Sequence, residues 1–309
     1  MAEIPLLSDG VEFLLRRTRA FVRSTPAATR AAANGYLRTQ GNGRRASART
    51  EPYWLFLPRW LAGKFDAPRP RVVDDFVWGQ YCLFAYVRMR DDVLDRQTAN
   101  PRLVFAADGF LVEAERAFAR HVRDEAFWAF FRQALERTAH GILEADALQR
   151  RTNGSVRPLC AAYARVSAIF KVGSAAICLP ANRRAAFARV ERFADHLAVA
   201  GQLLDDLEDV HEDLSDGRCN AAAKLLTPGV GPADPTVGER ITHALVAGTR
   251  LKTLLDIVER RIRMARAAIA PLRMRDADAY LVQVGRELAD IRLKVHRARV
   301  ATVFGQAHA

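Results

Sequence analysis

Lysine is scarce in this chain of 309 residues, because only five of its 47 basic residues are lysine. They are Lys64, Lys171, Lys224, Lys252 and Lys294. The net charge is +12, but so strong an arginine bias is more typical of coding composition than of a polyanion-binding surface. No nucleic-acid-binding motif accompanies it. We therefore expect no nucleic-acid partner, although a basic protein attracts anionic substrates such as diphosphates.

Cysteine motifs, targeting signals and membrane-length apolar runs are also missing. The four cysteines are scattered, without Cys-x-x-Cys or Cys/His spacing, which argues against a zinc motif or a disulfide framework. The N-terminus has no basic region followed by a long apolar stretch, so no signal peptide is expected. The uncharged run 76–87 is too short to span a bilayer. These features predict a cytoplasmic protein with no transmembrane segment and at most peripheral membrane contact.

Helical periodicity runs through almost the whole chain. Apolar residues recur with helical spacing in the segments 10–24, 72–97, 103–122, 125–150, 159–179, 182–214, 237–268 and 276–302. Glycine with arginine or proline marks 39–49 and 227–235 as loops. Because no segment alternates like a strand and composition does not shift along the chain, the sequence predicts a single all-α domain over residues 1–309.

An acidic cluster follows the apolar segment 72–90 and comprises Asp91, Asp92 and Asp95. Asp91 and Asp95 are four residues apart and share one helix face. Like charges at this spacing repel each other, and acids near a helix C-terminus oppose its dipole. Carboxylate oxygens suit Mg²⁺, which bridges carboxylates to substrate phosphates. Taken alone, the cluster is explained equally well by a solvated acidic helix end.

A second cluster repeats the feature after another apolar run. Asp205, Asp209 and Asp213 form an i, i+4, i+8 row, and Glu208 and Glu212 add negative charge. A solvated acidic ridge is tolerable, because each uncompensated pair costs only about 0.2–0.5 kcal/mol. Two such clusters, each at the end of an apolar helix, nevertheless favour a facing pair that binds divalent cations.

Isolated cations lie near these clusters. Lys171 interrupts the apolar segment 168–180, and a buried lysine is costly without a partner. This predicts an ammonium that faces an anion in a cavity, with a lysine that snorkels to water as the alternative. Gly173 would allow a kink beside it. Arg218 and Lys224 follow the second cluster and are placed to close over a phosphate, although each alone is typical of a surface cation.

The two aspartate-rich motifs on helices of an all-α chain resemble the class I isoprenoid synthase superfamily. This superfamily comprises trans-prenyl diphosphate synthases, squalene/phytoene synthases and class I terpene cyclases. The resemblance covers residues 72–226 and implies a single helical bundle around a central apolar cavity, with the motifs facing each other at its mouth. It also implies several Mg²⁺ ions, or Mn²⁺ as a substitute. The ions draw the diphosphate off an allylic prenyl diphosphate and leave a carbocation.

The resemblance assigns roles residue by residue. It implies metal binding by Asp91, Asp92, Asp95, Asp205, Asp209 and Asp213, and a catalytic role for Asp91, Asp95, Asp205 and Lys171. Lys171 resembles the lysine of the family's Lys-Thr-Gly diphosphate-binding motif. The expected substrate-binding residues are Arg88, Lys171, Arg218, Lys224, Tyr86 and Phe84, of which the two aromatic residues would line the pocket. For each aromatic residue, plain core packing is the alternative.

The motifs do not agree on one branch of the superfamily. Chain-elongating synthases carry Arg-Arg-Gly soon after the first motif, whereas 96–100 here reads Arg-Gln-Thr-Ala-Asn. They also carry an upstream Gly-Gly-Lys-Arg, which 41–45 echoes only loosely. The segments 86–92 and 202–218 resemble squalene/phytoene synthases, but the Lys171 element and the N-terminal region do not.

A terpene cyclase needs one substrate, and the row of Asp205, Asp209 and Asp213 has the spacing of the cyclases' second motif. A cyclase that releases diphosphate, a lyase, is therefore the first expectation. A prenyltransferase, by head-to-head condensation or chain elongation, is the alternative. A helical prenyl-diphosphate-binding or scaffold protein is the non-enzymatic alternative, and a homodimer is compatible with any of these.

Overall fold

The structure is a computed structural model that describes residues 6–43, 53–65, 68–95 and 97–306. Within these residues it is helical and contains no β-strand. The helices are α1 (Leu6–Ser24), α2 (Ala27–Gly43), α3 (Tyr53–Phe65), α4 (Pro70–Leu94), α5 (Leu103–Ala119), α6 (Glu125–Gln149), α7 (Val156–Val166), α8 (Val172–Cys178), α9 (Arg184–Glu208), α10 (Val210–Ser215), α11 (Ala221–Leu226), α12 (Val237–Ala247), α13 (Thr249–Ile269) and α14 (Arg275–Gln306). Short 3-10 turns occupy Ser167–Lys171 and Ala270–Leu272. The all-α fold predicted from the sequence is confirmed.

Three of the predicted helices are divided in the structure. Segment 159–179 is interrupted by the turn Ser167–Lys171, and segment 182–214 is interrupted at Asp209. Segment 237–268 is interrupted at Gly248, whose φ of 76° ends α12 in the left-handed region that glycine adopts without strain. A period of 3.6 persists across each interruption, so periodicity alone does not reveal it.

The first predicted loop is partly wrong and the second is confirmed. Residues 39–43 of the loop 39–49 belong to α2, and residues 44–49 lie outside the described residues. Pro58 lies inside α3, although proline usually breaks a helix; burial of the residues around it outweighs the missing backbone hydrogen bond. Residues 227–236 are non-helical, as expected for the loop 227–235.

The chain divides into two compact units. The first unit comprises Met1–Phe131 and Val172–Arg184, and the second comprises Arg132–Lys171 and Ala185–Ala309. In the first unit α4 packs along α5, and α3 packs against α4 and α8. Its core is aromatic, with Phe118 stacked on Phe76 at 5.7 Å. Gly79 permits this packing, because a Cβ there would lie 2.7 Å from the Phe118 ring.

The second unit carries α7 and α9 to α14. Its core combines apolar residues of α9, such as Phe193 and Leu203, with Leu254 and Val258 of α13. Helix α14 packs against α12 and α13, and α11 packs against α7 and α13. Among the described residues, one segment, Val156–Cys178, is long and apolar enough to cross a membrane by length and composition, but 72% of its most apolar stretch of 18 residues is buried, as in a core helix.

Candidate functional site

The first acidic cluster lies at the C-terminal end of α4. The Asp95 amide donates a hydrogen bond to the Asp91 carbonyl at 2.8 Å, so these two residues lie on successive turns, as the sequence predicts. The side chain of Asp91 is 32% exposed, and that of Asp92 is 5% exposed. Asp92 is therefore the inner carboxylate of the cluster, while Asp91 and the half-buried Asp95 reach the surface of the first unit.

Arg88 provides positive charge to this cluster. Its guanidinium lies 3.1 Å from Asp92 Oδ1 and 3.8 Å from Asp91 Oδ2. Both contacts are local, because residues three and four apart are neighbours on a helix surface. Tyr36 of α2 lies beside Asp92, and burial together with the Asp92 carboxylate raises the pKa of its hydroxyl. Arg88, predicted to bind substrate, thus contacts the acids of its own cluster.

The aromatic residues ahead of the cluster have different neighbours. Phe84 packs against Trp54, with ring centroids 4.8 Å apart. The guanidinium of Arg90 lies over the Tyr86 ring, 4.9 Å from its centroid, and also pairs with Asp108 at 2.6 Å. Both aromatic side chains are half-buried. Their role in lining a substrate pocket stays a prediction.

The second acidic cluster spans the end of α9 and the start of α10. Despite the interruption at Asp209, the Asp209 amide donates to the Asp205 carbonyl at 2.9 Å, and the Asp213 amide donates to the Asp209 carbonyl at 2.8 Å. The row of three aspartates therefore keeps helical spacing. Asp205 and Asp209 are exposed, whereas Asp213 is half-buried.

Asp206 is the inner carboxylate of the second cluster and is 2% exposed. The Tyr163 hydroxyl donates to its Oδ2 at 2.6 Å, Gln202 Nε2 donates to Oδ1 at 3.0 Å, and the Ala221 amide donates to Oδ2 at 2.9 Å. Burial raises the pKa of Asp206 to about 7, although each of these donors acts to lower it. The carboxylate is thus held by neutral donors from α7, α9 and α11.

Asn220 connects this buried acid to Asp213. Its amide nitrogen donates to the Asp206 carbonyl at 2.8 Å and to Asp213 Oδ2 at 2.6 Å. Its oxygen accepts from the Ala223 amide at 2.9 Å, which caps α11. Arg218 pairs with Asp213 Oδ1 at 2.9 Å, and burial raises the pKa of Asp213 despite both partners. Asp213 is therefore engaged by the protein itself.

The cations after the second cluster lie where the sequence places them but point to protein partners. Gly217, with φ 78°, ends the segment before Arg218. Lys224 lies in α11, is 6% exposed, and donates its ammonium to the Arg151 carbonyl. The predicted phosphate-binding role of Arg218 and Lys224 stays a prediction.

Lys171 ends the 3-10 turn, and its side chain is completely buried. Its Nζ lies 2.5 Å from Asp195 Oδ1 on α9. The snorkelling alternative is therefore wrong, and the anion beside Lys171 is a protein carboxylate. The 3-10 turn interrupts the predicted helix beside Lys171, and the kink at Gly173 stays a prediction. Gly173 has another function, since a Cβ there would lie 2.8 Å from Pro58 Cγ.

The acidic residues fit Mg²⁺ by their chemistry. Each cluster ends a helix with carboxylates that reach the surface of its unit, and such oxygens are the ligands that Mg²⁺ prefers. Across the described part of the chain, no three His, Cys, Asp or Glu side chains are gathered into a preformed metal site. Mg²⁺ commonly binds one or two carboxylates together with substrate phosphates, so the exposed acids of either cluster suffice as its protein ligands.

Comparison with known proteins places the fold. No protein-family model matches the chain, and no curated protein sequence matches it. Many solved structures are similar to it over most of their length, and three of them illustrate the likeness. A decaprenyl diphosphate synthase from Rhodobacter capsulatus has a TM-score of 0.72 and 12% identity, and the match covers 91% of this chain and 97% of that one. A polyprenyl synthetase from Streptomyces coelicolor A3(2) has a TM-score of 0.72 and 14% identity, with coverages of 92% and 98%. A geranylgeranyl pyrophosphate synthase from Corynebacterium glutamicum has a TM-score of 0.67 and 17% identity, with coverages of 94% and 92%.

The chain has the isoprenoid synthase fold. The superfamily resemblance predicted from the two motifs is thereby confirmed at the level of the fold.

Within this isoprenoid synthase fold, the residues that hold the inner acids were missed by sequence reasoning. They are Tyr36, Tyr163, Gln202 and Asn220; Asp195, the partner of Lys171, was missed as well. Gln202 precedes Asp206 by four residues, and Asn220 stands just before α11, so helix spacing and capping preferences are signals for these two. Nothing in the sequence connects Tyr163 to an acid 43 residues away.

Proposed function

We propose that this chain is a magnesium-dependent prenyltransferase that acts on an allylic prenyl diphosphate. One observation carries the proposal. Each acidic cluster holds one carboxylate inside its unit, Asp92 or Asp206, and leaves neighbouring carboxylates at the surface. A mere solvated helix end needs no inner acid with its own partners. The similar solved structures are named as prenyl diphosphate synthases, which supports prenyl transfer as the reaction class.

The proposed metal ligands are Asp91 and Asp95 in the first unit and Asp205 and Asp209 in the second. When bound, Mg²⁺ would neutralise the diphosphate and act as a Lewis acid on its leaving oxygen. Asp92 and Asp213, also predicted to bind metal, are engaged by Arg88 and by Arg218 with Asn220. We assign these two acids to orienting the ligands beside them.

The remaining residues of the proposed site bind and shield the substrate. In the second unit Lys171, and in the first unit Arg88, would each offer hydrogen-bond donors and positive charge to a diphosphate. Phe84 and Tyr86 would present ring faces to the carbocation and exclude water from it. Arg218 and Lys224 would hold the segment after the second cluster in place as the diphosphate binds.

A terpene cyclase is the second candidate, because two observations favour it. The segment between α4 and α5 is short and lacks Arg-Arg-Gly. The backbone hydrogen bonds of Asp209 and Asp213 also maintain the i, i+4, i+8 spacing of the cyclases' second motif. A cyclase would use the same clusters to ionise one substrate and would need no second-substrate site.

Product analysis distinguishes the two reactions. The purified protein is incubated with Mg²⁺ and geranyl, farnesyl or geranylgeranyl diphosphate, with and without isopentenyl diphosphate. Extracts are analysed by gas chromatography–mass spectrometry, and longer diphosphates are dephosphorylated first. A longer diphosphate formed only with isopentenyl diphosphate, or phytoene or dehydrosqualene formed without it, supports prenyl transfer; these head-to-head products need no added reductant. A cyclic hydrocarbon or alcohol from one substrate supports the cyclase.

Two controls accompany this assay: chelation by EDTA and the Asp91→Ala variant. Both should abolish every product. If no product forms with any substrate, or if product still forms in the presence of EDTA, the proposal of a magnesium-dependent reaction is wrong.

A further inference from the structure

The Lys171 ammonium is already neutralised in the second unit. Its side chain is 0% exposed, and Nζ lies 2.5 Å from Asp195 Oδ1. The Ser167 hydroxyl lies 3.0 Å from the same oxygen and 2.8 Å from the Ala164 carbonyl, so its proton can be donated to either acceptor. Charge-assisted contacts of this length are among the stronger hydrogen bonds. A diphosphate can therefore bind the Lys171 ammonium only if it displaces the Asp195 carboxylate.

Asp195 is the member of the pair that reaches solvent, because its side chain is 29% exposed. An anion that approaches from solvent meets this carboxylate before it meets the ammonium. Two like charges cannot share one ammonium closely without mutual repulsion. If the Asp195 carboxylate leaves Lys171, water can hydrate it, because it is partly exposed. A fully buried carboxylate would lose its partner without gaining water.

Glu191 keeps the surroundings of Lys171 negative when Asp195 is displaced. It lies one turn before Asp195 on α9, and Arg137 lies 3.7 Å from its Oε1. Burial raises the pKa of Glu191, while Lys171 and Arg137 both act to lower it. Lys171 therefore interacts electrostatically with a second carboxylate and does not depend on Asp195 alone for a negative neighbour.

We propose that Asp195 is an exchangeable counter-ion, a positioning residue that holds the Lys171 ammonium until a diphosphate displaces it. This inference rests on the proposed function, since it takes Lys171 as a diphosphate-binding group. Asp195 then competes with the ligand, and binding includes the cost of breaking the resident ion pair. Removal of the carboxylate charge should strengthen diphosphate binding, which is opposite to the effect of structural damage.

The test is the affinity for magnesium pyrophosphate, measured by isothermal titration calorimetry. Asp195→Asn keeps an oxygen for Lys171 but removes the competing charge. We expect its Kd to fall about tenfold, the size of one charge-assisted hydrogen bond. Asp256→Asn is the matched control, because it makes the same change of net charge at an exposed ion pair of the same unit. Its Kd should equal that of the wild type.

A double variant isolates the mechanism. In the Lys171→Gln background, Asp195→Asn should no longer tighten binding, because no ammonium is released. If Asp195→Asn fails to fold, Ser167→Ala replaces it and should tighten binding by a smaller factor. For the prenyl diphosphate substrate, KM should fall with Asp195→Asn, without a rise in kcat.

The outcomes separate the two levels of inference. If the wild type binds magnesium pyrophosphate and Asp195→Asn binds it equally or more weakly, the counter-ion proposal is wrong and the proposed function stands. Tightening that persists in the Lys171→Gln background also contradicts the proposal. If neither the wild type nor any variant binds magnesium pyrophosphate, the proposed function fails, and the counter-ion proposal fails with it.

Discussion

The two acidic clusters stabilise a buried carboxylate in different ways. The inner acid of the first cluster, Asp92, is paired with a guanidinium one turn earlier on the same helix. The inner acid of the second cluster, Asp206, is held by neutral donors from three helices. The neutral donors do not overcome burial at Asp206, whose pKa is raised to about 7. Similar sequence motifs therefore have different local electrostatics.

The largest expected effect is loss of turnover when an outer acid is removed from either cluster. Asp91→Ala and Asp205→Ala should each reduce product formation by about a hundredfold or more, as expected when stabilisation of transition-state charge is lost. Neither should unfold the protein, because each change removes a repulsion near the surface. Product analysis with circular dichroism as the folding control tests this. Full activity in either variant would contradict the metal-binding assignment of that cluster.

The same two variants sharpen the comparison when Mg²⁺ is added alone. Between residues 205 and 216 the second cluster holds seven acids, whereas the first holds three beside Arg88. We therefore expect the rise in Tm caused by Mg²⁺ to depend more on Asp205 than on Asp91. If the Mg²⁺-induced rise in Tm is lost equally in both variants, Arg88 does not make the first cluster respond to Mg²⁺ differently from the second.

The next effect concerns the cation of the first cluster. Arg88→Gln leaves the Asp92 carboxylate, 5% exposed, without its counter-ion. The free energy of unfolding should fall by about 2–3 kcal/mol, less than for a fully buried pair because Arg88 is 28% exposed. Urea unfolding in low and high salt measures this. The loss should shrink in high salt, which screens partly exposed charges; a loss independent of salt would contradict the role of charge here.

The corresponding change in the second cluster removes a neutral donor. Tyr163→Phe deletes the hydroxyl that donates to Asp206 at 2.6 Å and should lower the free energy of unfolding by about 1–2 kcal/mol. Salt should not alter this loss. Tyr81→Phe is the matched control. The Tyr81 hydroxyl interacts with the neutral side chain of Thr18, so its removal does not take a donor from a buried acid. Equal losses in the two variants would show that Asp206 gains nothing particular from Tyr163.

The same contrast explains what the sequence predicts and what it does not. The spacing of Arg88 and Asp92 is a helix-surface pair that can be read from the chain, and acids after a long apolar run mark both clusters. The break between α9 and α10 at Asp209 is not visible in the periodicity. The contact of Tyr163 with Asp206 depends on how α7 packs beside α9, and no local pattern encodes that. Lys171 illustrates both cases: its burial was expected from its apolar neighbours, but its partner Asp195 lies 24 residues away.

The smallest expected effect is at Asp75, where an arginine and a histidine, rather than a tyrosine and amides, surround an acid. Asp75 accepts hydrogen bonds from Arg17 and His121, both at 2.7 Å. Burial raises its pKa, but these partners outweigh burial and lower it below the ordinary 3.8. This is the reverse of Asp206, whose neutral donors do not overcome burial.

Asp75→Asn should therefore reduce the free energy of unfolding by about 1 kcal/mol at neutral pH. A lowered pKa contributes stability that is present above the unfolded value and is lost as pH falls through the folded one. The difference between wild type and variant should accordingly close below pH 3.8. Urea unfolding at a series of pH values measures this, with reversibility checked at each pH. A difference that persists in acid would mean that packing, rather than the charge of Asp75, holds α1 on α4, and the contrast with Asp206 would then not be electrostatic.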